Sequence, residues 1–361
     1  MSFNLYAHFP FCRRKCAYCA LKSRAGASVE ARQAYVARLA DEVRRLTLPE
    51  EPAPTTIYFG GGSPGLCDLR PLFDALRERG LLPAAEFTVE LHPNDVSPEL
   101  LETLAAGGVN RVSLGIQSFD DATLAAMGRG HTAAEAIAAY QAVQRVFPNA
   151  GFDLIVGYPT TSATLSASRT LLEVVRQLAP AHVSVYTLIR EPGTKLDLDV
   201  CKGRLALPDD DAALAEYARV AEALQAAGLV RYEISNWARP GAECRHNCAV
   251  WRGEDYVGLG DGAHGRDGLV RTVGEGDAYA RETLSPESDA LERALITLRT
   301  RFGFDPEAAV QRHPLLASRL TAWRQELDFA VEQGLARRNG NVYCLTSRGT
   351  EVCDAVLERL L

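Results

Sequence analysis

The sequence predicts an α/β protein: a parallel sheet built from six strand–helix units, followed by a mainly helical tail. Three observations carry this. Six short apolar runs recur through the first half of the chain. Amphipathic stretches of helical period separate them. Polar or glycine-rich segments follow the runs, at the strand ends where such sheets gather ligands.

The first run, Leu5–Phe9, leads into Cys12–Cys19. An amphipathic stretch over Glu30–Leu46 then repeats Tyr35, Leu39, Val43 and Leu46 at helical spacing. Thr56–Phe59 is the second run and leads into Gly60–Ser63. Phe87–Leu91 leads into His92–Asn94, and Ser97 before Pro98 marks a helix start for Ser97–Ala106. Arg111–Ile116 leads into Gln117–Ser118, and a helix is expected over Thr132–Val146, opening at Thr132. Phe152–Val156 and Val183–Leu188 complete the set. Six strand–helix alternations with right-handed crossovers fit an open six-unit barrel or a doubly wound sheet. The alternation fades after about Gly193. Asp209–Ala227 reads as a helix, and Tyr232–His264, rich in Gly, Trp, His and Cys, reads as irregular. Helical pattern returns from Ser288. It closes in Leu335–Ala336, a turn at Asn339–Gly340–Asn341, Val342–Leu345 and a last helix, which suggests a winged-helix-like tail. The expected organisation is a core over 1–236, an irregular connector over 237–284 and a winged-helix-like domain over 285–361.

Composition excludes several classes. Hydrophobic residues make up 47% and charged residues 24% of the 361 positions, as in a soluble chain with a sizeable core. A net charge of −7 gives no support to a broad phosphate-backbone interface, so nucleic acid is not an expected partner. No run of 18 or more apolar residues is present, so no membrane span is expected. Met1–Pro10 lacks the basic and apolar regions of a signal peptide. Nine cysteines without an export signal suit a reducing cytoplasm, where they serve as metal ligands, reactive thiols or core fillers.

Cys12, Cys16 and Cys19 form CxxxCxxC directly after the first strand. Three thiolates hold three irons of a cubane cluster and leave the fourth open to another chelator. Zinc is the rival metal, but it wants a fourth ligand, and His8 is the nearby candidate. Three cysteines at this spacing also fall on one helix face, the bland alternative. Arg13, Arg14 and Lys15 beside them favour thiolates electrostatically. Gly60, Gly61 and Gly62 allow close backbone approach to a ligand or simply a tight turn. Glu90 at a strand end suits a cationic ligand or ribose hydroxyls, or is an ordinary solvated carboxylate. His246 in Cys244–Trp251 is a candidate axial haem ligand, with Cys248 a second donor; a lone histidine is more often structural. Gly258–His264 reads as a tight glycine turn.

Tyr6–Cys19 resembles the opening of radical SAM proteins of the anaerobic coproporphyrinogen oxidase-like group. The resemblance runs on through Phe59–Pro64, Glu90–Pro93, Ser113–Phe119, Gly128–His131, Asp153–Pro159, Tyr232–Asn236 and Cys244–Asn247. It implies a partial six-unit radical SAM barrel holding a [4Fe–4S] cluster on Cys12, Cys16 and Cys19. In that family the open iron is chelated by the amino and carboxylate groups of S-adenosylmethionine (SAM), and one electron yields a 5′-deoxyadenosyl radical. The resemblance places Gly61, Gly62, Ser63, Glu90, Gln117, Arg129 and Asp153 at SAM, with Ser63 where the family usually has Thr. Tyr6 and Tyr18 match positions near the cluster and adenosine. Members of the HemW branch, which handle haem, carry HNxxYW. This chain has His246, Asn247 and Trp251, with Val250 in the Tyr place. The resemblance therefore implies a haem chaperone with haem or a porphyrin as ligand, a haem-acceptor protein and an electron donor as partners. The alternatives are an oxygen-independent coproporphyrinogen III oxidase and a radical SAM methyltransferase. Leu21 stands where that oxidase has a fourth cysteine, and Ala20–Leu21 where HemW proteins usually show Asp-Phe.

Overall fold

A computed structural model describes residues 2–48, 53–159 and 168–361. Six parallel strands form its centre: β1 (Ser2–Phe9), β2 (Ala53–Gly61), β3 (Glu86–Leu91), β4 (Arg111–Gln117), β5 (Ala150–Val156) and β6 (His182–Thr187). They lie in sequential order, with no reversal. A doubly wound sheet needs the strand order to turn back so that helices cover both faces. Sequential order with right-handed crossovers instead keeps the helices outside. This is the partial barrel, and the doubly wound alternative falls.

The helices begin where capping chemistry puts them. Ser28 accepts from the Ala31 N–H at the head of α1 (Val29–Arg45), whose Tyr35, Val36, Leu39, Ala40 and Val43 are buried. Ser97 caps Pro98–Ala106, and Thr132 with Glu135 forms a reciprocal capping box on Ala133–Val146. Asp209 caps Asp210–Ala226. Strand interiors such as Phe87 and Val89 are wholly buried, as parallel strands covered on both faces should be.

The region 237–284 departs from expectation. It is not irregular. Asn236–Ala238 adds antiparallel to β6, and residues Arg245–Trp251 form helix α2. Val257–Leu259 then pairs in parallel with Leu5–Ala7 of β1. A three-stranded antiparallel sheet follows over His264–Asp267, Val270–Glu275 and Ala278–Thr283. Short elements with little periodicity hid this order from the sequence. The glycine turn is as expected. A Cβ at Gly258 would collide with the His264 carbonyl, and one at Gly260 (φ +95°) with the Tyr35 hydroxyl.

The last part packs around its own apolar core of Phe304, Trp323, Leu327 and Tyr343. Its hairpin pairs Ala336–Asn339 with Val342–Leu345. No helix among the described residues is long and apolar enough to cross a membrane.

Candidate functional site

The cysteine loop leaves β1 at its carboxyl end and is not helical. Backbone latches hold it. Gly62 and Ser63 donate to the carbonyls of Phe9 (2.8 Å) and Phe11 (2.7 Å), and Ala17 donates to Met127 (2.9 Å). A Cβ at Gly62 would strike the Phe11 carbonyl, and one at Gly61 (φ +104°) the His8 ring. The glycines are thus required by the protein's own packing. Ser63 is buried and donates to Asp95, which also takes the Arg13 guanidinium. Asp95 was not visible as a loop anchor in the sequence.

Each cysteine is partly exposed. Burial pushes the Cys12 and Cys19 thiols up, and it outweighs the opposing pull of Arg129 on both and of Lys15 on Cys19. Neighbouring cations therefore do not ionise these two thiols by themselves; a bound metal must. Arg129 Nη1 lies 3.3 Å from Cys16 Sγ, its Nη2 donates to the Gly115 carbonyl, and its buried Nε has no partner among the described residues. Among the described residues no three His, Cys, Asp or Glu side chains converge to hold one metal ion. A cubane presents a separate iron to each thiolate and needs no such convergence. His8 is no fourth ligand, because its ring nitrogens meet the Tyr6 hydroxyl (3.0 Å) and the Lys22 carbonyl (2.8 Å). The loop fits a three-thiolate cluster better than zinc.

The central strands bring other candidates together. Glu90 on β3 pairs in register with Ser113 on β4, whose hydroxyl donates to Asp153 on β5 at 3.1 Å. Glu90 accepts from the Tyr58 hydroxyl (2.6 Å) and the Gly61 N–H (3.0 Å). Burial, then the nearby Asp153, pushes its carboxyl up to about 7. Burial likewise raises Asp153. Gln117 sits beside a break in the β4–β5 register with φ +75°, a left-handed backbone unusual for glutamine. It hangs over Gly115 beside Arg129. Tyr18 lies against Tyr158, and burial raises its phenol, as it does that of Tyr6.

A cavity of about 700 Å³ adjoins this face. Its lining includes Tyr6, Tyr58, Glu90, His246, Trp251 and Tyr256. Gln117, Arg129 and Asp153 are not in that lining, so the candidates divide between the cavity and the adjoining strand ends. His246 is 5% exposed. Its Nδ1 lies 2.8 Å from the Thr56 hydroxyl, and its ring faces Tyr58 at 5.2 Å. Burial pulls its imidazole down to about 4, so it is neutral at pH 7. Glu86 anchors α2 by accepting from the N–H groups of Arg245 (2.8 Å) and His246 (3.0 Å). One secondary expectation fails. Burial pushes the Cys248 thiol to about 11 in an apolar cluster with Tyr232 and Cys244, so it is no ready thiolate. Arg245 beside His246 is exposed and outside the cavity lining. The sequence reading also missed Thr56 and Glu86. The one available signal was a carboxylate heading an apolar run, a position where unpaired charge is costly.

A sequence model of the Radical SAM superfamily matches residues 6–171. The Mycobacterium tuberculosis protein named heme chaperone HemW is 35% identical, across 99% of this chain and 95% of its own. The chain belongs to the HemW family of radical SAM proteins. A mitochondrial radical S-adenosyl methionine domain-containing protein 1 from Bos taurus is 30% identical over 99% of this chain and 87% of its own. Coproporphyrinogen III oxidase (HemN) from Escherichia coli shares the fold, with TM-score 0.82 at 20% identity over 99% of this chain and 89% of that one. Membership in the radical SAM superfamily implies a [4Fe–4S] cluster and SAM as cofactors.

Proposed function

We propose that this protein is a haem chaperone that binds haem in the cavity beside its cluster–SAM face and passes it to an acceptor protein. The observation that carries this is His246. It is a neutral, buried imidazole tethered at Nδ1 and lining a cavity of about 700 Å³, within the ~300–1,000 Å³ usual for ligand pockets. The full-length likeness to proteins named haem chaperones supports the same reading. Likeness to the oxidase concerns the fold alone.

In this reading Cys12, Cys16 and Cys19 hold the cluster. Gly61, Gly62, Ser63, Glu90, Gln117, Arg129 and Asp153 would hold SAM, and Tyr6 and Tyr18 would pack beside it. When bound, the cluster supplies one electron for cleavage of SAM's carbon–sulfur bond, and an electron donor is then a second partner. Arg129 steadies the Cys16 sulfur, and Glu90, with its raised carboxyl, holds a proton that it would release to solvent when a cationic ligand binds beside it. His246 is the proposed haem ligand, with the Trp251 ring available to a porphyrin face. The division at 236 and 284 remains the proposed organisation, with Val257–Leu259 returned to the core sheet.

Anaerobically reconstituted protein is titrated with haem. His246→Ala should weaken binding and shift the Soret band, while Val250→Tyr should change little. An unaltered titration for His246→Ala would overturn this site.

A further inference from the structure

Asn4 and Thr56 are neighbours in register on β1 and β2, each 1% exposed. The Asn4 Nδ2 faces two groups that only accept: the Asp255 carbonyl at 3.1 Å and the Glu254 carboxylate at 3.4 Å. That atom is therefore the amide nitrogen, and Oδ1 is the acceptor. Thr56 Oγ1 lies 2.8 Å from Oδ1 and spends its one proton there. The same Oγ1 lies 2.8 Å from His246 Nδ1. A hydroxyl that has donated its proton offers only lone pairs, so Nδ1 must bring the proton to that contact. The neutral ring then carries its lone pair on Nε2.

We propose that Asn4 and Thr56 are positioning residues that lock His246 as the Nδ1–H tautomer and so present Nε2 to the iron of a haem in the cavity. The purpose rests on the haem reading above, but the tautomer is a property of the chain alone. The relay runs from Asp255 through Asn4 and Thr56 to His246, so it ties the ligand to the strand pair and to the turn after α2. With the ring reversed, Nδ1 and the Thr56 oxygen would face each other lone pair to lone pair. Partners of this kind change metal affinity 10–100-fold when removed.

Two measurements test it on the full chain. Long-range ¹H–¹⁵N spectra of ¹⁵N-histidine-labelled apoprotein resolve the seven histidines, with His246 assigned by its absence in His246→Ala. The wild type should show a protonated Nδ1 and a lone pair on Nε2; the reverse pattern overturns the proposal without need of any variant at Thr56. In haem titrations Thr56→Val, which keeps the shape and removes the acceptor, should bind about 10–100-fold more weakly, and Thr56→Ser should recover wild-type binding. A Thr56→Val protein with unchanged tautomer and unchanged haem affinity also overturns it. If His246→Ala alone leaves the titration unaltered, the ligand assignment fails while the tautomer result stands on its own.

Discussion

The cysteine loop and the His246 pocket sit side by side yet are built in opposite ways. All three candidate cluster ligands come from one eight-residue stretch, partly exposed, and its supports are mainly backbone latches. The His246 pocket draws single side chains from far apart in sequence. Thr56 is 190 positions away, and Glu86 is 160. A local loop keeps its ligand set even when neighbours change, whereas a long-range pocket depends on each buried partner. The two regions should therefore fail separately.

The sharpest way to break this contrast is to remove Cys12, Cys16 and Cys19 together. Iron counting and Mössbauer spectra should fall from about four irons per chain, one cubane, to none. Haem titration of the same variant should be unaltered, because His246, Thr56 and Glu86 are untouched. Loss of both ligands together would show that the regions are one cooperative unit.

Glu86→Ala attacks the other side. It strips a buried carboxylate from two N–H groups and leaves Arg111, itself 1% exposed, nearby without its charge. Leaving a buried N–H group without its acceptor costs about 1–3 kcal/mol, and two are left here. Urea unfolding should register that loss and haem affinity should drop, while reconstituted iron content should hold in whatever fraction remains folded.

Gly62→Ala is a milder test of the latch. Its new Cβ meets the Phe11 carbonyl, and overpacking of this kind costs about 1–3 kcal/mol. Cluster reconstitution should fall in yield with haem binding kept. Equal loss of both would contradict independent support.

The last test is a pH slope from Glu90. Its folded carboxyl, at about 7, stands above the ordinary 4.5. Between those values the folded chain holds more protons than the unfolded one, so this group's contribution is most favourable below 4.5 and declines as pH rises toward 7. Ligand-free Glu90→Gln should lack that decline. Unfolding at pH 5 and pH 8 should therefore show the wild type losing ground to the variant at the higher pH. Parallel behaviour of the two proteins would remove Glu90 as a perturbed carboxyl.

Much of the barrel and of the cysteine loop is legible in the chain's own residue pattern. The six strands lie where their apolar runs put them, and Ser97, Thr132 and Asp209 cap the helices expected of them. The CxxxCxxC spacing announces its chemistry, and His246 stands out through its resemblance to a family pattern. Residues 237–284 resist such a reading because their strands are three to six residues long and carry no steady alternation. Thr56 and Glu86 stay hidden because nothing near either in sequence points to α2.

The sequence by itself determined whatever a few consecutive residues encode: helical and strand periods, capping starts, and three thiols on one short loop. Only the tertiary structure decided that the strands run in sequential order as a partial barrel. It alone set Val257–Leu259 beside β1, with the adjacent Tyr256 in the cavity lining. It also chose which buried polar groups meet His246. The reason is physical. Local patterns are fixed by backbone geometry over a turn or two. Partners 160 or 190 positions apart are chosen by how the whole sheet packs, which no short stretch of chain records.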